Sequence, residues 1–249
     1  MKKAVIYPWF VLIVAIITLS SCNKEHAPDC FQKAGEVKTM WRDIDAFTSL
    51  ELRDYLNVEL VDSSDYAIQL TGPGNLLPEI STEIEQGKLT IENRNTCNFV
   101  RSFKNKITVR IFAPDFSDIQ NYSTGDITSV GILTSDEFRI DNRNAAGTIT
   151  VQLDVDTAVI STHTGVCDVV VKGESIITQL FNQGVGVIDA RDLHTTDAFV
   201  NNSSINDVFV NTNGYFFALI EFSGNVYYTG TPNHIDQSVR GEGRVIPLQ

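Results

Sequence analysis

Ser123-Thr124-Gly125-Asp126-Ile127, Gly165-Val166-Cys167-Asp168-Val169, Ser204-Ile205-Asn206-Asp207-Val208 and Phe222-Ser223-Gly224-Asn225-Val226 repeat one pattern, small residues followed by Asp or Asn and a β-branched anchor. Degenerate copies extend the anchors to Ile127, Ile149, Val169, Val187, Val208, Val226 and Val245, in steps of 22, 20, 18, 21, 18 and 19 residues. A second apolar series, Ile140, Ile160, Leu180, Val200, Leu219 and Val239, runs six to nine residues ahead of the next anchor. Two strand positions recurring together at a period near twenty describe a stacked β-solenoid, because one coil cannot bury its apolar face without the next. The small residues before each anchor suit tight corners. Asn142, Asn144, Asn201, Asn202, Asn211 and Asn213 suit corners and side-chain ladders between coils. The pattern specifies a scaffold rather than a reaction.

Upstream, the body of the chain from Trp41 is also strand-like. Val58-Glu59-Leu60-Val61, Ala67-Ile68-Gln69-Leu70, Lys88-Leu89-Thr90-Ile91 and Lys106-Ile107-Thr108-Val109-Arg110-Ile111 alternate or are rich in β-branched residues. Glu85-Gln86-Gly87-Lys88 reads as a hairpin turn. Leu76 to Glu85 has room for a short helical turn that Pro78 keeps from growing. The expected fold is all-β, a parallel β-helix of coils of about 18–22 residues with N-terminal strands leading into it. It forms a single domain over 41–249, strand-rich in 41–118 and regular in 119–249.

The chain starts with a different kind of segment. Lys2 and Lys3, the apolar stretch Ala4 to Leu19 and the small residues before Cys22 read as a secretory signal over residues 1–21. Leu19-Ser20-Ser21-Cys22 resembles the lipobox of bacterial lipoproteins, which implies lipidation at Cys22 and a membrane partner through that anchor. More than one acyl chain is needed for lasting attachment. Residues 22–40 read as a tether, and Asn23-Lys24-Glu25 weakly resembles the export signal of surface lipoproteins in Bacteroidetes. The expected address is the outer membrane, at the cell surface or facing the periplasm. Without residues 1–21 the chain keeps 17 Lys and Arg against 31 Asp and Glu, a net charge of −14. Nucleic-acid binding is excluded on that balance, since phosphate contacts draw on clustered cations. In an oxidising compartment Cys30 and Cys97 form the expected disulfide, clipping the tether to the body. Cys167 lies inside a repeat copy, where a small apolar thiol fits the interior.

Several blocks together resemble a family: the Phe47 to Leu52 strand, Gly74-Asn75-Leu76-Leu77-Pro78-Glu79-Ile80, Gly87-Lys88-Leu89-Thr90-Ile91, Cys97-Asn98-Phe99-Val100-Arg101-Ser102-Phe103 and the later Gly-Asp-Val copies. The chain is similar over residues 41–246 to the putative auto-transporter adhesin, head GIN domain family, lipoproteins of Bacteroidetes with no assigned activity. The resemblance implies a right-handed β-helix and a role in adhesion, and its Cys block adds weight to the Cys30–Cys97 pairing. The departures are Ala146-Gly147-Thr148-Ile149, Gly184-Val185-Gly186-Val187 and Glu242-Gly243-Arg244-Val245, which lack the Asp.

Two features bear on ligand chemistry. Asp126, Asp168, Asp207 and Asn225 occupy equivalent coil positions, as turn residues accepting backbone N–H bonds or as an array of carboxylates acting on a polysaccharide. Phe209, Tyr215, Phe216, Phe217, Phe222, Tyr227 and Tyr228 gather late in the chain. They fill and cap the last coils, or they stack on sugar rings or anchor a protein. His26, His163, His194 and His234 have no metal-ligand spacing, and no nucleophile motif or phosphate loop is present, so no cofactor or metal is expected. The leading expectation is a non-enzymatic, lipid-anchored envelope protein that binds a glycan or protein ligand or mediates adhesion. The alternative is a carbohydrate-binding or carbohydrate-active β-helix.

Overall fold

The computed structural model describes residues 34–96 and 106–248. Its strands are β1 (Val37–Asp43), β2 (Ser49–Asp54), β3 (Asn57–Asp62), β4 (Ala67–Pro73), β5 (Ile80–Glu85), β6 (Lys88–Asn93), β7 (Thr108–Ala113), β8 (Ile119–Ser123), β9 (Ile127–Asn142), β10 (Thr148–Thr162), β11 (Asp168–Asn182), β12 (Ile188–Asn202), β13 (Val208–Thr212), β14 (Tyr215–Ile220), β15 (Val226–Thr229), β16 (His234–Val239) and β17 (Val245–Pro247). They wind into a β-solenoid of about six turns. Among the described residues no helix is long and apolar enough to cross a membrane.

The long strands show how the sequence makes a coil. In β10 the alternating buried set is Ile149, Val151, Leu153 and Val155, then Ala158, Ile160 and Thr162, with Val159 buried as well. Strand side chains alternate between faces, so the change of phase between Val155 and Ala158 marks a corner where the strand turns onto a second wall. Each wall is one side of the same core. Burying an Ile or Leu there is worth about 1.5–3 kcal/mol, so every coil anchors its neighbours. β9, β10, β11 and β12 stack in parallel, and further on β13, β15 and β17 continue one wall while β14 and β16 continue the other.

The register corrects three members of the expected series, the first two by a single residue. Val169 pairs with Ile188, and Ile188 with Val208, so the anchor of that coil is Ile188 rather than Val187. Ile188 is fully buried, whereas Val187 is only half-buried. Val200 pairs with Ala218, not Leu219, which pairs with Asn201 and faces outward. Both errors are slips of one residue, which exchange the two faces of a strand. Val239 belongs to the row of Asn202 and Ile220 rather than to that of Val200.

The first strands do not simply lead into the coils. β2 lies between β6 and β8, and β3 lies between β7 and β9, all in parallel. The stacking order is therefore β6–β7, β2–β3, β8–β9, and the earliest coil is held inside two later ones. β1 pairs antiparallel with β4, and β4 antiparallel with β7. Residues 37–40, expected in the tether, belong to β1, where Met40 pairs with Leu70 and packs against the core. β5 and β6 form the expected hairpin. Gln86 and Gly87 have φ of 51° and 78°, the two left-handed residues of a type I′ turn, whose twist matches the strands. The helical turn is a single 3-10 turn at Leu77–Glu79.

A row of buried polar side chains runs along one corner. Asn121, Asn142, Thr162, Asn182 and Asn202 follow one another in register and are all buried. Asn121 Nδ2 donates to Asn142 Oδ1 at 2.9 Å, and Thr162 Oγ1 donates to Asn182 Oδ1 at 2.7 Å. Asn182 Nδ2 donates to Gly186 O at 3.1 Å, and Asn202 Nδ2 to Asn206 O at 3.0 Å and Asn225 O at 3.1 Å. These amides give the corner carbonyls hydrogen-bond donors, Gly186 O and Asn206 O one each and Asn225 O a second beside Val208 N.

Candidate functional site

The Asp column lies at a corner where glycines let successive coils approach closely. A Cβ added to Gly125, Gly186, Gly224 or Gly243 would lie 2.0, 1.8, 2.0 or 2.1 Å from the carbonyl oxygen of the coil beneath. With no side chain there, successive backbones touch, and the Asp or Asn of one coil reaches a backbone N–H of the next. Asp126 Oδ1 accepts from Thr148 N at 3.0 Å, Asp168 Oδ1 from Val187 N at 2.9 Å, Asp207 Oδ1 from Asn225 N at 2.8 Å and Asn225 Oδ1 from Arg244 N at 3.0 Å. Asn57, in the coil that sequence order conceals, receives Asp126 N in the same way at 3.4 Å. The column is a series of clamps between coils, and its carboxylates are spent on backbone N–H groups.

The copies without Asp now have a reason. Thr148 and Val187 stand directly above Asp126 and Asp168, and Asn225 above Asp207. Carboxylates on adjacent coils would face each other at about 4.8 Å and repel. Placing the acids on alternate coils keeps the clamps and removes that repulsion.

Cys167 shares this corner. It is free and buried, and burial, with the charges of Asp168 and Asp126 behind it, pushes its thiol up to about 12. A thiol without access or thiolate is inert. Iodoacetamide at pH 8 is therefore expected to leave Cys167 unlabelled in the folded protein and to label it fully in urea, as read by peptide mass. Labelling in the native state at the rate of an unfolded thiol would refute this. Cys22, Cys30 and Cys97 lie outside the described residues.

The late aromatics divide among different surfaces. Phe216 is in the core and Tyr228 packs against it, with ring centroids 5.3 Å apart. Tyr227 points the other way and stacks on Phe209 at 5.1 Å, with the Arg191 guanidinium 4.2 Å from the other ring. Tyr227 and Tyr228 therefore do not form one ligand surface, since neighbours on a strand face opposite sides.

The outer wall of β11, β12 and β14 carries a groove that the chain order hides. Gln179, Phe199 and Phe217 stand in one row across the three strands, and Phe181, Asn201 and Leu219 in the next. With Val200 they line a cavity of about 330 Å³. Small-ligand sites begin near this size. Phe181, Phe199 and Phe217 are all half-buried although they point away from the core. On one side lie Tyr215 and His234, with rings 5.7 Å apart and nearly parallel. Tyr215 Oη donates to Asp236 Oδ2 at 2.8 Å, which lowers the Asp236 carboxyl and raises the phenol. Among the described residues no Lys or Arg lines the groove.

A second depression of about 560 Å³, lined by Glu51, Arg53, Asp54, Lys88, Glu92, Gln120 and Tyr122, covers the outer face of β2, β6 and β8. Lys88 Nζ donates to Glu51 Oε2 at 2.6 Å and Arg53 Nε to Oε1 at 2.5 Å. Burial acts to raise the Glu51 carboxyl, but these hydrogen bonds outweigh it and hold the group below its ordinary value. An ionised, doubly paired carboxylate is not a general acid. Among the described residues no group of three His, Cys, Asp or Glu side chains is placed to hold a metal ion.

Known structures share this architecture. A putative adhesin from Bacteroides fragilis is 23% identical with a TM-score of 0.79, covering 86% of this chain and 97% of its own. A putative lipid binding protein from Parabacteroides distasonis is 17% identical with a TM-score of 0.63, covering 86% and 98%. A putative adhesin from Parabacteroides merdae is 16% identical with a TM-score of 0.58, covering 87% and 98%. At these identities the likeness is one of fold. No curated protein matches at a significant level. The family model described as "Putative auto-transporter adhesin, head GIN domain" matches residues 46–232, and the chain belongs to that family.

Proposed function

We propose that this chain is a non-enzymatic, lipid-anchored protein of the cell envelope that engages a ligand through the outer wall of β11, β12 and β14. The observation that carries the reading is the group of half-buried phenylalanines, Phe181, Phe199 and Phe217, that point away from the core. An apolar patch of this kind on an exposed wall marks an interaction site. The family description and the two similar structures called adhesins support adhesion as the purpose. The engagement of Asp126, Asp168 and Asp207 by backbone N–H groups supports the non-enzymatic part.

Anchoring rests on Leu19-Ser20-Ser21-Cys22. On detergent phase partition, the wild-type protein is expected in the detergent phase and Cys22→Ser in the aqueous phase; equal partition of both overturns the anchor. Adhesion is tested with beads coated with the protein and mixed with bacterial and animal cells. Binding above that of albumin-coated beads is expected, and its absence from every cell type counts against the reading.

A further inference from the structure

We infer that the groove of β11, β12 and β14 binds a neutral glycan, a reading that names the ligand of the site proposed above. Three properties of the wall point to this class. Phe199 and Phe217 are in register on adjacent strands, and Phe181 is offset one strand earlier and two residues further on. They span two coil steps, about 9.6 Å, and set three phenyl side chains along the stacking direction. The C–H faces of successive sugar rings meet such a wall without loss of hydrogen bonds.

The polar groups select further. Gln179 and Asn201 stand within the groove, and Asp197 and Asp236 lie beside Phe199 and Phe217 in neighbouring positions. The two amides supply donors and acceptors, the complement of a hydroxyl-bearing ring, while Asp197 already accepts from Tyr215 N at 2.8 Å and Asp236 is paired with Tyr215 and His234. An acyl chain would cover the two amides and leave them unpaired, at about 1–3 kcal/mol for each buried group. Anionic ligands are disfavoured because, among the described residues, no cation lines the groove, and Asp197 and Asp236 lie on the strands that form and flank it. Phosphate, sulfate and uronate groups are recognised by Arg and Lys, and this wall offers neither. The cavity of about 330 Å³ is the size of a small ligand's footprint, well short of a protein interface.

The groove differs from both carbohydrate surfaces expected from sequence. Asp126 and Asp168 hold coils together, and Tyr227 and Tyr228 face apart. Phe181 and Phe199 come from earlier coils than the aromatic cluster and meet Phe217 only in the stack.

The test uses the detergent-extracted full-length protein on an array of neutral, sialylated, sulfated and uronate glycans. The wild type is compared with a Phe199→Ala/Phe217→Ala double variant, and with Tyr227→Ala on a different wall, after circular dichroism shows that each is folded. Binding to neutral oligosaccharides, weakened at least tenfold in the double variant and kept by Tyr227→Ala, is the expected result. Binding confined to acidic glycans, or unchanged in the double variant, overturns the inference. Silence on all glycans, with bead adhesion to cells lost in the double variant, overturns the ligand class and leaves the binding wall standing. Silence together with unchanged bead adhesion removes the wall as well.

Discussion

Gly186→Ala is expected to destabilise the protein by about 3–4 kcal/mol, at the upper end of what a single added methyl does to a packed interior. The new Cβ would sit 1.8 Å from Cys167 O and 2.5 Å from its carbon, both backbone atoms that cannot rotate away. The coil must lift off its neighbour, and with it goes the hydrogen bond from Val187 N to Asp168. Gly184→Ala is the control two residues earlier, where the Cβ would meet Gly165 O at 3.4 Å, an ordinary contact, and the change is expected to stay below about 1 kcal/mol. Urea denaturation followed by circular dichroism measures both. Equal losses at the two sites would mean that stacking distance is not what reserves position 186 for glycine.

The second large effect is expected at Asn202. Its side chain is fully buried, donates to Asn206 O and Asn225 O, and accepts from Ser204 N at 3.2 Å. Asn202→Leu keeps the volume and orphans the Asn206 carbonyl and the Ser204 N–H, while Asn225 O keeps Val208 N at 2.9 Å; at about 1–3 kcal/mol for each group left dry, the expected loss is about 3–5 kcal/mol. Asn201→Leu places the same substitution on the adjacent outward-facing residue and is expected to cost less than about 1 kcal/mol. The two variants compared by urea denaturation decide the matter. A stable Asn202→Leu protein would show that the corner carbonyls find other donors.

The period, the walls and the hairpin were legible because each depends on local alternation. Gln86-Gly87 announces its turn through dihedrals that few other residues adopt. Val187 misled for a local reason too, since Val187 and Ile188 are both β-branched and only the partner strand decides which is inward. Leu219 displaced Ala218 in the same way, because the more apolar of two neighbours faces outward. That reversal is itself the trace of the groove. Phe181, Phe199 and Phe217 each adjoin a core residue, Leu180, Val200 and Ala218, so the strands are apolar on both faces where alternation predicts polarity outside. Composition cannot separate that from a deeper core. The Asp column was legible as turn chemistry, but its alternation required knowing which residue stands over which. Asn57 was hidden altogether, because Val58 and Ile127 are neighbours across 69 residues.

That last pairing divides the chain into two regimes of assembly. From β9 onward each rung finds its partner about twenty residues away, so loop closure is short and uniform, and rungs are interchangeable in kind. The β2–β3 rung has no such freedom. Both its edges stay bare until β6–β7 and β8–β9 have been made, and they then close around it from opposite sides. The rod is thus extensible in its distal part and locked in its proximal part, with a seam in which the first rung synthesised is enclosed only after two later ones are made.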